Sequence, residues 1–163
     1  MLIRPVQADD LPFLWDMLWE AAAVDAGTRA RGKDTALASP WNRKYLDSWG
    51  RAGDAGVVAL DDGGRYLGAA WYRRFPVEAH SYGFVAPDIP ELTIGVSSTA
   101  RGQGVGGALL RALLDGARAR DYATLSLSVD RQNPARALYE RHGFRDAGVS
   151  PPDDTSVTMV VTL

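Results

Sequence analysis

Residues 101–107 combine a cation with four glycines in the order Arg-Gly-Gln-Gly-Val-Gly-Gly. They stand between an apolar, strand-like run at residues 91–96 and a long amphipathic segment that begins near Val105. Glycine lets the backbone adopt turns in which consecutive N–H groups point the same way. A helix that begins there adds the positive end of its dipole, a combination that binds pyrophosphate. The spacing therefore predicts a loop that holds a phosphate-bearing ligand.

Three other interpretations of this loop compete with one another. Gly102, Gly104 and Gly107 match the dinucleotide fingerprint, and Asp130 follows the next strand, where a ribose-binding acid would lie. Only 33 residues follow Asp130 in a chain of 163, however, and a dinucleotide fold needs more strand–helix units than they can form. A P-loop is excluded because no Gly-Lys-Ser/Thr follows the glycines. A ligand-free turn is disfavoured because each glycine costs stability without a compensating need.

Strands and helices alternate along the chain, which indicates an α/β fold with antiparallel hairpins at each end and a βαβ unit between them. Residues 26–38 are small and polar and predict a mobile loop, and residues 76–90 hold three prolines and predict another. Strands are predicted at 2–6, 57–60, 66–75, 92–96, 123–129, 144–149 and 155–163, and helices from Asp9 or Asp10 through Trp19, at 39–49, at 105–120 and from Asn133 to about Arg141, ended by Gly143.

Two segments at a characteristic separation resemble the GNAT superfamily of N-acetyltransferases. Arg101-x-x-Gly104-x-Gly106 is similar to the family's pyrophosphate loop, and Glu91–Val96 to the strand before it. The segment Asn133–Phe144 is similar to the family's Asn-x-x-Ala-x-x-Leu-Tyr-x-x-x-Gly-Phe pattern. The resemblance implies a single GNAT-like domain over residues 1–163. Its fold would be a mixed, mostly antiparallel seven-stranded sheet with about four helices and a splayed parallel pair near 91–96 and 123–129.

The resemblance also implies acetyl-CoA as cosubstrate, lying between the two splayed strands. The main chain of the first strand would pair with the pantetheine arm, and N–H groups of the glycine loop would hold the pyrophosphate. Asn133 would both cap its helix and touch the cofactor, and Arg136 would lie beside it. The implied cofactor-binding residues are Ile94, Gly95, Val96, Arg101, Gly102, Gln103, Gly104, Val105, Gly106, Gly107, Asn133 and Arg136.

Acetyl transfer to an amine needs a base for the amine and benefits from an acid at the leaving thiolate. The resemblance implies that Tyr139 is the acid, although its place in a helical apolar stripe also fits a packed core tyrosine. Glu91 is the candidate base because family members often carry a carboxylate on this strand. Alternation places Glu91 on the same face as Thr93 and Gly95, without indicating which face meets the substrate. Other candidates near the acceptor side are Glu78, Asp88, Tyr72 and Tyr82.

Composition narrows the function classes. The chain has a net charge of −2, 46% hydrophobic residues and no cysteine. We therefore expect no nucleic-acid or membrane partner, no thiolate metal site or cysteine nucleophile, no metal, and a cytoplasmic location. The leading hypothesis is direct acetyl transfer from acetyl-CoA to a primary amine of a small molecule, peptide or protein, and the alternative is an acyl-CoA-binding domain without catalysis. The acceptor is not identified by any motif, and the choice between a monomer and a homodimer stays open.

Overall fold

A computed structural model describes all residues, 1–163, as one α/β unit. The first helix follows a short 3-10 turn at Ala8–Asp10. The longest helix has 15 residues, and none of the helices has the length and hydrophobicity of a membrane-spanning segment. The strands are Leu2–Pro5 (β1), Ala55–Leu60 (β2), Tyr66–Arg73 (β3), Glu91–Val96 (β4), Thr124–Asp130 (β5), Arg145–Asp146 (β6) and Ser156–Thr162 (β7), and the helices are Leu11–Ala22 (α1), Ala26–Arg31 (α2), Lys33–Ala38 (α3), Pro40–Arg43 (α4), Val105–Ala119 (α5) and Ala135–Arg141 (α6).

The seven strands form one mixed sheet in the order β1-β2-β3-β4-β5-β7-β6. Every neighbouring pair is antiparallel except β4 and β5, which run parallel. The predicted fold, with its central parallel pair, is therefore confirmed. A parallel pair needs a crossover connection, and α5 supplies it.

The two faces of the sheet carry separate cores. The helix α5 packs on one face against Leu92, Leu127 and their neighbours, and α1 packs on the other. Gly95 explains how closely α1 approaches, because a Cβ on this residue would lie only 2.5 Å from the carbonyl oxygen of Met17. Glu91 and Thr93 share the face of Gly95 by strand alternation. The side chain of Glu91 therefore lies on the α1 face.

The prediction of a mobile loop at residues 26–38 is wrong, because two short helices, α2 and α3, occupy this stretch. Asp25 caps α2 by accepting hydrogen bonds from the N–H and the hydroxyl of Thr28, both at 2.8 Å. Gly32, at φ +87°, separates the two helices. The Asp25 cap and the break at Gly32 thus produce two short helices in a stretch whose composition alone indicates a loop.

The helix predicted for residues 39–49 is also shorter than expected, since α4 ends at Arg43. The reason lies on β3. The buried guanidinium of Arg73 donates to the carbonyls of Lys44 and Asp47, at 2.9 and 2.6 Å, and pairs with Asp54 at 2.7 Å. These carbonyls accept hydrogen bonds from Arg73, which is distant in sequence, instead of from the N–H groups of a continuing helix.

The strand predicted at residues 144–149 is reduced to Arg145 and Asp146. The Asp146 carboxylate accepts a hydrogen bond from the N–H of Gly148 at 2.8 Å, and Gly148 has φ +75°. This local turn ends the pairing of β6 with β7. The end of α6 is as predicted, because Gly143 takes φ +91° just after the helix.

Candidate active site

The centre of the sheet contains an opening between the parallel strands β4 and β5. The two strands pair only at Glu91 and Ser126, next to a hydrogen bond from the Ser126 N–H to the Pro90 carbonyl at 2.9 Å. Beyond this point they separate, so the edge of β4 that faces β5 has no strand partner along Ile94, Gly95 and Val96. An extended ligand can pair with such an edge.

The glycine loop lies at the wide end of this opening, where α5 begins. No group in the chain accepts a hydrogen bond from the backbone N–H of any residue from 102 to 107. Gly102 and Gly104 have φ of +74° and +81°, and a Cβ on either would meet nothing within 4 Å. Six consecutive free N–H groups at the positive end of a 15-residue helix have the arrangement that can bind an anion.

Arg101 stands beside these N–H groups with its charge already paired. Its guanidinium contacts Glu20 of α1 at 2.6 Å, and the same carboxylate oxygen also accepts from Arg29 at 3.2 Å. About half of the Arg101 side chain is exposed. The backbone, rather than this cation, is therefore the principal feature of the loop.

Helix α6 flanks the loop. One methyl group of Leu138 lies 3.3 Å from where a Cβ on Gly106 would stand. The N-cap position of α6 is Pro134, one residue after the predicted cap, and the Asn133 side chain accepts a hydrogen bond from the N–H of Ala135, the first residue of the helix, at 2.9 Å. Arg136 donates to Glu140 one turn along α6, at 3.1 Å. Both predicted cofactor residues thus have partners within the first turns of this helix.

Tyr139 lies on α6 among the buried residues of the α5 face, with its ring edge-on to Phe144 at 5.9 Å between centroids. Its hydroxyl has no hydrogen-bond partner in the chain. The oxygen is nevertheless not fully buried, unlike the unpartnered oxygens of Ser81 and Glu91. The hydroxyl therefore reaches accessible space. Burial raises the pKa of the Tyr139 hydroxyl above its ordinary value, so the group stays protonated and able to donate.

Glu91 lies on the opposite face and is 2% exposed, with neither carboxylate oxygen hydrogen-bonded. Burial raises its pKa to about 7 from an ordinary 4.5. The Tyr45 hydroxyl, the Gly83 N–H and the Ser81 hydroxyl oppose this rise, in that order, without reaching hydrogen-bonding geometry. A carboxylate with a pKa near neutrality suits a general base.

A loop segment, Ser81–Gly83, covers this carboxylate. A Cβ on Gly83 would stand 2.2 Å from a Glu91 oxygen and 2.8 Å from the backbone of Leu127, so only glycine fits there. Ser126 of β5 fastens the segment by donating to the Gly83 carbonyl at 2.7 Å. A buried polar group without a partner costs about 1–3 kcal/mol, and such costs are concentrated where function requires them.

Comparisons with known proteins agree with this geometry. The family model described as the acetyltransferase (GNAT) family matches residues 14–144, which include both strands of the opening, the glycine loop and α6. The chain belongs to the GNAT family. This family consists of acetyltransferases, which use acetyl-CoA as cosubstrate.

Two curated acetyltransferases are similar to this chain in sequence. A mycothiol acetyltransferase from Clavibacter michiganensis is 33% identical over 131 residues, which are 79% of this chain and 37% of that protein. An L-2,4-diaminobutyric acid acetyltransferase from Nocardia farcinica is 31% identical over 144 residues, which are 72% of this chain and 74% of that one. The chain thus corresponds to little more than a third of the first relative.

Solved GNAT structures share the fold over the whole chain. A ribosomal-protein-alanine N-acetyltransferase from Brucella melitensis has a TM-score of 0.70 at 26% identity, with all of both chains covered. A phosphinothricin acetyltransferase from Sinorhizobium meliloti, solved in complex with acetyl-CoA, has a TM-score of 0.64 at 20% identity, covering 99% of this chain and 88% of that one.

The candidate bases differ in burial and in their position in the fold. Glu78 and Asp88 are exposed, and Tyr72 lies on the α5 face, where its hydroxyl accepts from Arg120 at 3.2 Å. Tyr82 is 56% exposed. Glu91 is the candidate that combines burial with a raised pKa. The groups around Glu91 are not predictable from the sequence, since Tyr45, Ser81 and Gly83 converge from separate parts of the chain with no shared spacing.

Proposed function

We propose that this protein is an N-acetyltransferase that moves the acetyl group of acetyl-CoA directly to a primary amine. The observation that carries the proposal is the row of six free N–H groups beside an opening with Glu91 on one face of the sheet and Tyr139 on the other. Such an arrangement offers a phosphate site, a base and an acid around one gap. A domain that only bound acyl-CoA would not need a buried carboxylate whose pKa lies near neutrality.

On the donor side, the N–H groups of residues 102–107 would hold the pyrophosphate, and the free edge of Ile94, Gly95 and Val96 would hold the pantetheine arm. Acetyl-CoA supplies the acetyl thioester. The backbone fixes its position without needing to reorganise, because the glycine loop already has the conformation that leaves its donors free.

On the acceptor side, Glu91 would take a proton from the amine, since amines are nucleophilic only when neutral. Its pKa of about 7 keeps a large fraction of the carboxyl ionised near neutral pH. The nearby carboxylate also favours a cationic acceptor. The two charges would be brought together in a pocket of low dielectric, where the attraction is stronger than in water.

Tyr139 would donate a proton to the departing sulfur. Replacing it in the variant Tyr139→Phe keeps the ring packed on Phe144 and removes only the hydroxyl. We expect kcat to fall by roughly 10²-fold, with little change in the affinity for acetyl-CoA. Steady-state kinetics with a titration of acetyl-CoA binding measures both quantities. Unchanged kcat would remove Tyr139 from the mechanism.

The acceptor can be identified by measuring release of free coenzyme A over a panel of amines. Because one curated relative is named for L-2,4-diaminobutyric acid, the panel begins with diamino acids and continues with polyamines, aminoglycosides and peptides with a free N-terminal alanine. We expect one class to give acetylated amine by mass spectrometry. Binding of acetyl-CoA with no acetylation of any class would instead favour the binding-only role.

A further inference from the structure

The chain contains three sealed side-chain oxygens that lack a hydrogen-bond partner, and all three lie in one place. They are the hydroxyl of Ser81 and both carboxylate oxygens of Glu91, and each of these residues is 2% exposed. Ser81 is contributed by the covering segment and Glu91 by the start of β4. Because all three lie together, they indicate one polar pocket and not isolated packing defects.

Tyr45 brings a further hydroxyl to the same pocket from the stretch after α4. Its oxygen accepts a hydrogen bond from the Tyr82 N–H at 3.1 Å, which leaves its own proton free for another acceptor. The backbone around Tyr45 is fixed, because its carbonyl accepts from the indole of Trp71 at 3.1 Å and the preceding carbonyl from Arg73 at 2.9 Å. The ring packs edge-on against Phe75, at 5.4 Å between centroids.

We propose that Tyr45 and Ser81 are positioning residues that hold the Glu91 carboxylate ionised and aimed at the acceptor amine. Both hydroxyls have a proton to donate, and both act on the Glu91 carboxylate by favouring its ionised form. This inference rests on the proposed role of Glu91 as base. It adds to that role the groups that let a sealed carboxylate work near neutral pH.

The other charged groups around Glu91 are engaged elsewhere. Arg73 stands opposite Glu91 in the β3–β4 register, but its guanidinium is bound to Asp54. Lys44 donates to the His80 carbonyl at 2.6 Å and lies 4.0 Å from the Trp41 ring, and its charge affects Glu91 less than the two hydroxyls do. The imidazole of His80 is on the exposed side of the covering segment. The two hydroxyls are therefore the side-chain donors that the pocket offers to the carboxylate.

The test is the pH profile of kcat/KM for Tyr45→Phe, Ser81→Ala and the double variant. Loss of a donor raises the pKa of Glu91, so less of it is ionised at acidic pH, while at alkaline pH all variants are ionised. We expect the acid limb to move up by about one pH unit in Tyr45→Phe, a loss of about tenfold near pH 6 that disappears near pH 9. The double variant should move further. Tyr122→Phe, which deletes a hydroxyl without a hydrogen-bond partner next to Tyr72, is the matched control.

A second measurement does not depend on turnover. NMR titration of carboxyl-labelled glutamate in the unliganded protein follows Glu91 directly, and Glu91→Gln assigns its signal. We expect the Glu91 midpoint to rise in Tyr45→Phe and Ser81→Ala and to stay in place in Tyr122→Phe. Unmoved midpoints together with acid limbs that overlay the parent would overturn the proposal. If the parent acetylates no amine, the proposed function fails, and this titration still decides the positioning role.

Discussion

The two sides of the sheet opening are prepared to different degrees. On the donor side, six backbone N–H groups have no acceptor within the chain, and the first three of them belong to exposed residues, 102–104, whose conformation is fixed by Gly102 and Gly104. On the acceptor side, Glu91 is sealed beneath Ser81–Gly83, and the segment is fastened to β5 through Ser126. The donor site can receive its ligand as it stands, whereas the acceptor must displace or pass this cover.

The two sides also differ in how much their unpaired polar groups cost in folding free energy. The unpaired N–H groups of the exposed residues 102–104 cost little because water can reach them, so the glycine loop can keep its binding conformation without a ligand. An unpaired carboxylate in a sealed pocket is destabilising, and it is maintained only because the surrounding fold is stable enough. This contrast can be tested by substitutions on the sealed side and on the open side.

The strongest test of the sealed side is the variant Glu91→Gln. Removal of the base should lower kcat by about 10²–10⁴-fold, because a general base contributes on that scale. Binding of acetyl-CoA should be unchanged, since the glycine loop is untouched. Glu78→Gln, which neutralises an exposed acid in the loop between β3 and β4, is the matched control and should keep its activity. A Glu91→Gln enzyme with parental kcat would contradict the assignment.

The same variant should be more stable than the parent at alkaline pH. Because the pKa of Glu91 rises on folding from 4.5 to about 7, its contribution to stability is full below pH 4.5 and is lost as the pH rises through 7. At about 1.4 kcal/mol per pH unit, Glu91→Gln gains roughly 3 kcal/mol over the parent above pH 7 and almost nothing near pH 4.5. Urea unfolding at both pH values measures this difference. Equal stability at both would mean that the carboxylate is not sealed.

The order of strands and helices and the open side of the site were predictable from sequence, because their signals are local. Gly102 and Gly104 indicate the loop within a stretch of seven residues. Asn133 is close in sequence to α6, the helix from whose first N–H it accepts a hydrogen bond. The sealed side was not predictable in this way. Tyr45, Ser81 and Glu91 meet only because Arg73 holds the stretch after α4 and Ser126 holds the covering segment, and neither contact leaves a pattern in the local sequence.

The open side is tested by Gly104→Val. Gly104 has φ +81° with no neighbour within 4 Å of its Cβ position, so a side chain there would stand in the space for the phosphate and strain the backbone. We expect the affinity for acetyl-CoA to fall by about tenfold or more. Gly64→Val is the matched control, because Gly64 has φ +82° and equally open surroundings in the turn between β2 and β3. Isothermal titration calorimetry compares the two. Equal affinities in the two variants would contradict the placement of the phosphate at residue 104.

Arg101→Ala should have the smallest effect, because the guanidinium already pairs with Glu20. Exposed ion pairs contribute about 0–1 kcal/mol, so we expect the affinity for acetyl-CoA to fall only about two- to fivefold. Glu20→Gln frees the Arg101 charge and should raise the affinity slightly, most clearly at low salt, where screening is weakest. A loss of tenfold or more in Arg101→Ala would mean that Arg101 leaves Glu20 to bind phosphate. In that case the donor side would also rearrange on binding, and the contrast between a prepared and a covered side would be smaller than these contacts indicate.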